Sequence, residues 1–134
     1  MKRTLLIVGA VAALLLLLLG LVYGPTIYSL LRNPFNDRTF DRSVWIEAAS
    51  GPEVRNPRGP MAEDLRARFL HRGMSKRDVR ALLGESSNSQ YEEEMGVEDH
   101  YFLGHWGEMS IDGDYLIIHY DKRRRLVSTE IYQH

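Results

Sequence analysis

The sequence predicts an α+β domain in which two helices pack on one face of a three-stranded antiparallel sheet, in the order α-α-β-β-β. One transmembrane helix is predicted to precede it. Three observations lead there. Residues 5–23 form an unbroken apolar run of 19 residues without a charge. Residues 60–84 hold two segments with capping residues at both ends and apolar residues at helical spacing. Beyond Gly84 the period changes to short runs rich in β-branched and aromatic residues, at 115–120 and 126–132.

The apolar run includes six consecutive leucines, residues 14–19. At about 1.5 Å rise per residue, a helix of that length reaches roughly 28 Å, close to the hydrocarbon thickness of a bilayer. Leu5, Leu14, Leu19 and Tyr23 mark its body and its far interface. A cleaved secretory signal is the competing reading, since Lys2 and Arg3 make a good positive flank. Against cleavage, the run exceeds a usual signal core, and cutting after Val22-Tyr23-Gly24 would leave Pro25 next to the cut. An uncleaved signal-anchor over residues 1–31 is therefore expected. Lys2 and Arg3 keep its N-terminus in the cytoplasm and send the remainder across.

All five prolines fall between residues 25 and 60. Residues 32–59 read as a Pro/Gly-rich tether, with Phe40, Val44, Trp45 and Ile46 as a docking segment inside it. The folded domain is placed at 60–134. Its first helix has Pro60 at the first helical position, Glu63 and Asp64 in the first turn, and Arg68, His71 and Arg72 in the last, before Gly73. Met61, Leu65 and Phe69 form its apolar stripe. In the second helix Ser75 is the N-cap, Asp78 its capping-box partner, and Met74 and Val79 a hydrophobic staple. Val79, Leu82 and Leu83 form the buried face and Gly84 the stop. Tyr101, Phe102 and Leu103 make a short strand before Gly104. Residues 121–125 lack Asn-Gly or Asp-Gly, so a longer or bulged hairpin loop is expected.

The pattern Gly73-Met74-Ser75-x-x-x-Val79-x-x-Leu82-Leu83-Gly84 resembles the signature of the SmpA/OmlA (BamE-like) domain family. The strands around residues 101–104, 115–120 and 126–132 fit that fold, which is shared in outline with β-lactamase-inhibitor-protein (BLIP) repeats. Phe40, Trp45, Pro57, Arg58, Met61, Asp64 and Leu65 are similar to positions in small membrane-anchored bacterial envelope proteins of this fold. The resemblance covers residues 40–134 and implies a role in envelope assembly or maintenance. Lipoproteins of the family hang from the outer membrane by a lipidated cysteine. This chain has no cysteine, so the expected attachment is its own helix. The expected place is the bacterial inner membrane, single-pass, with the C-terminal domain periplasmic.

Composition narrows the function further. Lys2, Arg3 and Arg32 are the charges of the first 32 residues, which leaves 14 bases against 18 acids, a net of −4. A net acidic folded part argues against a nucleic-acid partner. The missing cysteine excludes a thiol nucleophile and a thiolate zinc site. His100, His105, His119, Asp112 and Asp114 are the residues from which a metal, ligand or catalytic site would be built, but no pair has a diagnostic spacing. Ser110 and Ser128 lack a nucleophile elbow. Asp112-Gly113-Asp114 reads as a turn, not a calcium loop. The acidic stretch 92–99 and the basic turn 122–125 read as solvated loops of opposite sign. Trp106, Met109 and Ile111 lie between strands and either fold back on the core or mark a partner surface. The expectation is a non-catalytic tethered domain, without cofactor or metal, that meets the bilayer through its N-terminal helix. It binds another envelope protein, with Tyr101, His105, Trp106, Met109 and Asp112 as the partner surface. The alternatives are a metal- or ligand-binding protein or enzyme using the His/Asp cluster, and an inhibitor of a secreted hydrolase.

Overall fold

The computed structural model describes residues 2–89, 97–107 and 112–133. Two compact units emerge, residues 1–33 and 34–134.

The first unit is a single helix, α1, Lys2–Leu31. It continues through Pro25, which the sequence had assigned to linker punctuation. A proline inside a helix forgoes its own backbone donor but need not end the helix where neighbouring turns hold it. Of the apolar run, exposure is described for Gly9 and for residues 11–23. Leu14, Leu19 and Tyr23 stand exposed along it, and the Leu5 side chain lies outside the described set. Among the described residues no helix is long and apolar enough to cross a membrane.

The second unit is α+β. Its elements are α2 (Arg42–Glu47), α3 (Ala62–Arg68), α4 (Lys76–Leu83), β1 (Glu98–Gly104), β2 (Asp114–Tyr120) and β3 (Leu126–Tyr132). The strands pair antiparallel in the order β1-β2-β3. Tyr101 lies opposite Leu116 and Leu116 opposite Ile131, while Asp99 meets Ile118 and Ile118 meets Thr129. Because side chains alternate across a strand, these residues share one face. It is this face that joins Leu65 of α3 and Val79 and Leu83 of α4 in a single core.

Residues 34–59 belong to this unit, which corrects the boundary at residue 60. Phe35, Trp45 and Ala48 are buried with the rest of the core. Backbone amides of Asp37 and Arg38 donate to the Pro60 carbonyl, Glu63 N–H donates to the Phe35 carbonyl, and Phe40 N–H donates to Asp64 Oδ2 at 2.7 Å. Asp41 caps α2 by accepting from Ser43 N and Val44 N. The stretch around Asn56 is held just as firmly. Asn56 Nδ2 donates to the Ala48 and Pro52 carbonyls, and its Oδ1 accepts from Arg58 N. Arg58 is buried, donates Nε–H to the Trp45 carbonyl at 2.8 Å and stacks over the Trp45 ring at 5.0 Å. Burial lowers its guanidinium to about 10. Short polar residues thus pair the backbone that the prolines cannot.

The first predicted helix is shorter than expected. A 3-10 turn over Gly59–Met61, with Pro60 in its first positions, leads into α3, which ends at Arg68. His71 and Arg72 lie beyond it, in a turn closed by Met74 N–H donating to the His71 carbonyl, with Gly73 at φ +89°. That φ suits the third position of a type II turn, where a side chain is strained. The apolar stripe survives, with Met61 and Leu65 buried and Phe69 packed on the core. In α4, Ser75 Oγ accepts from Asp78 N at 3.1 Å, and Met74 and Val79 both reach the core. Its C-terminal carbonyls are capped from afar: Trp45 Nε1–H donates to Leu83 O and Tyr101 Oη–H to Gly84 O. The β2–β3 loop is bulged, with a register shift between His119 and Tyr120 and Arg124 at φ +57°.

Candidate functional site

The opposite face of the sheet carries none of the residues that cluster with the helices, although Ile117 at its centre is itself buried. Register sets three rows on it, each crossing all three strands: Phe102–Tyr115–Tyr132, His100–Ile117–Glu130 and Glu98–His119–Ser128. In the first row the Phe102 and Tyr115 rings meet edge to face at 5.4 Å, and the His105 ring stands 5.6 Å from Phe102. Gly113 has no side chain because a Cβ there would lie 2.5 Å from the Phe102 ring. Tyr132 is exposed.

The polar rows form one network. Glu98 takes His100 Nε2 on Oε2 and His119 Nδ1 on Oε1, both at 3.0 Å, and His119 Nε2 reaches Glu130 Oε1 at 3.1 Å. The hydrogen bond with His100 is the main reason the Glu98 carboxyl sits below its ordinary range; partial burial opposes this and the His119 side supports it. Both ring nitrogens of His119 face carboxylates. It is therefore not placed to take a proton from Ser128, its cross-strand neighbour, and the pair is not a nucleophile and base. The free edge of β1 is covered: Ser87 N–H donates to His100 O, and Asn88 Oδ1 accepts from His100 N.

The residues named from the sequence disperse. His100 and His119 share the open face, and His105 sits beyond the strand end, its amide donating to Glu53 O at 2.8 Å. Asp114 is buried and accepts from Trp106 N at 2.9 Å, whereas Asp112 is exposed. Among the described residues no group of three His, Asp or Glu could hold a metal ion. Tyr101 leaves the partner surface because it points inward and is fully buried. Trp106 folds back: its indole N–H donates to Leu103 O at 2.7 Å and its ring packs edge-on to Phe35. Met109, Ser110 and Ile111 lie outside the described residues, as do residues 92–96 of the acidic stretch.

Glu98, Phe102, Tyr115, Glu130 and Tyr132 complete this face, although the sequence does not single them out as a partner surface. A signal existed, since Glu98, His100 and Phe102 alternate with Asp99, Tyr101 and Leu103. Which set faces the helices depends on tertiary packing.

One element of the inner face is also charged. Asp99 is fully buried and receives Arg80 Nη2 at 2.8 Å, Lys76 Nζ at 3.4 Å and Tyr120 Oη–H at 2.8 Å. Burial pushes its carboxyl up, but the hydrogen bonds from Arg80 and Tyr120 and the charges of Arg80 and Lys76 outweigh it and hold it below the ordinary range. Burial, with Asp99 beside it, raises the Tyr120 phenol. This cluster joins α4 to the sheet.

No protein-family model, no curated protein and no solved structure matches this chain.

Proposed function

We propose that the chain is a non-catalytic, membrane-tethered domain of the bacterial cell envelope that binds another protein through the open face of its sheet. The observation that carries this is the aromatic row Phe102–Tyr115–Tyr132, flanked by the Glu98–His100–His119–Glu130 network, on the face opposite the core. Aromatic groups ringed by polar ones suit a protein partner, since the rings supply area at low entropic loss and the polar groups fix register. The tether in this reading is the uncharged apolar run 5–23, whose 19 residues would reach roughly 28 Å as a helix, although the described residues alone do not make a membrane span. The basic flank Lys2-Arg3 supports an inner-membrane orientation with the folded unit periplasmic. The helices α3 and α4 followed by a three-stranded antiparallel sheet, and the capped Gly73–Gly84 segment, support kinship with the SmpA/OmlA family and a part in envelope assembly or maintenance, although α2 adds a third helix before them.

The test is site-specific photo-crosslinking in cells, with the probe at Ser128 or Gln133 of the full chain. A discrete crosslinked protein is expected, lost when Phe102 and Tyr115 are both replaced by serine. Failure of either position to capture a protein would refute the surface. A reporter fused at residue 134 that is active only in the cytoplasm would refute the orientation.

A further inference from the structure

Away from the open face, a cleft of about 280 Å³ lies between the first turn of α4 and the β2–β3 hairpin. Six cations line it: Lys76, Arg77 and Arg80 from the helix, and Arg123, Arg124 and Arg125 from the hairpin. Two remote stretches of sequence supply them, and backbone hydrogen bonds hold the two together. Lys76 N–H donates to Arg124 O at 2.9 Å, Gly73 N–H to Leu126 O at 2.7 Å, and Leu126 N–H to Met74 O at 2.8 Å. Asp121 Oδ1 fixes the hairpin from within by accepting from Arg123 N and Arg125 N.

The cations are not equally committed. Lys76 and Arg80 pair with buried Asp99, Arg80 also reaches Glu85 at 3.5 Å, and exposed Arg77 touches Asp78. The Arg125 guanidinium donates to the Gly73 carbonyl at 3.4 Å and is also attracted by the Asp78 carboxylate, and the Arg123 guanidinium meets no partner among the described residues. Positive charge is thus in surplus in a concavity that the backbone has already assembled. Arginine forks match phosphate oxygens in pairs.

We propose that this cleft binds a phosphate group. The volume suits a phosphate or diphosphate, and the net acidic charge of the folded unit disfavours a nucleic-acid strand. The chemistry is the same whether the group belongs to a soluble phosphate ester or to a phospholipid headgroup. The inference stands independently of the open-face reading, because it uses no residue of that surface.

The experiment uses the full chain in dodecyl maltoside micelles at constant ionic strength, set with chloride. Inorganic pyrophosphate is titrated calorimetrically, and retention of phosphatidic acid against phosphatidylcholine is measured by native mass spectrometry. The double variant Arg77→Glu/Arg123→Glu spares the Lys76–Asp99–Arg80 cluster and should weaken binding by at least ~10-fold. Arg77→Gln/Arg123→Gln repeats the test should charge reversal disturb folding. Saturable binding of pyrophosphate alone assigns a soluble ligand, retention of phosphatidic acid alone a lipid one, and both together a site that reads the phosphate itself. Binding of neither probe, or equal binding by wild type and the folded variant, overturns the proposal.

Discussion

Replacing Asp99 with asparagine removes one charge and almost no volume, and the structure says what should follow. The carboxylate is fully buried, with Arg80 at 2.8 Å and Lys76 at 3.4 Å. At an effective dielectric near 20, each cation at such distances attracts it by roughly 5–6 kcal/mol, and the cost of desolvating the ions offsets most of that. Without the carboxylate the offset disappears on one side only. The Lys76 side chain is 5% exposed and cannot regain water in place, whereas Arg80 keeps Glu85. Breaking a buried pair this way costs about 3–5 kcal/mol. For a domain of this size that lowers Tm by at least ~12 °C. Tyr120 keeps an acceptor in the asparagine carbonyl, so its hydrogen bond is not part of the loss. Replacing Lys76 with methionine in the same molecule should restore part of the stability, because the stranded cation is then gone. The assay is thermal and urea unfolding of the full chain in neutral detergent, followed by circular dichroism. Acid supplies a second readout. A carboxyl held low in the folded state contributes fully above its unfolded value, about 3.9, and the contribution fades as pH falls toward the folded value. Wild type should therefore lose stability below about pH 4, and Asp99→Asn should lose less over the same range, the remainder coming from Asp41, Asp64, Asp78 and Glu98, whose carboxyls are also held low. A variant within ~1 kcal/mol of wild type at neutral pH, or one with unchanged acid sensitivity, would refute the account.

Two further substitutions probe the architecture. Trp45→Ala empties a fully buried site that also caps Leu83 O, so about 3–5 kcal/mol should be lost in urea titration; a loss under ~1 kcal/mol would mean that residues 34–59 do not support the core. Arg124→Gly relieves a left-handed backbone at φ +57° and should gain up to about 1 kcal/mol after the entropy of the freer unfolded chain is subtracted, read as a higher Tm. A lower Tm for that variant would show that Arg124 side-chain contacts outweigh the strain.

Local signals carried far. Ser75, Met74, Val79 and Gly84 announced α4 because caps and staples act within four or five residues. The second and third strands were legible from their β-branched and aromatic runs, and β3 spans the predicted 126–132. The first helix was overextended because Arg68, His71, Arg72 and Gly73 imitate a helix end. In fact the chain leaves α3 earlier, with Phe69 N–H and Leu70 N–H both donating to the Leu65 carbonyl. The docking segment read inside the tether does reach the core through Phe40, Val44 and Trp45, but the tether around it misled for a related reason. Proline and glycine punctuate a segment without saying whether it floats or docks, and here Asn56, Arg58 and Trp45 weld it to the core.

By itself, the sequence determined the charge-free apolar run, the capped α4, the hairpin and the absence of any thiol chemistry. These follow from spacing, propensity and composition, which neighbours along the chain settle. Only the tertiary structure decided which face of the sheet the helices cover. That choice sends Asp99 inward to Lys76 and Arg80 and leaves Glu98, His100 and Phe102 on the open side. It also brings Arg77 and Arg123 to one cleft. Strand alternation offers two equivalent faces, and burial of the apolar set selects between them once the helices are in place.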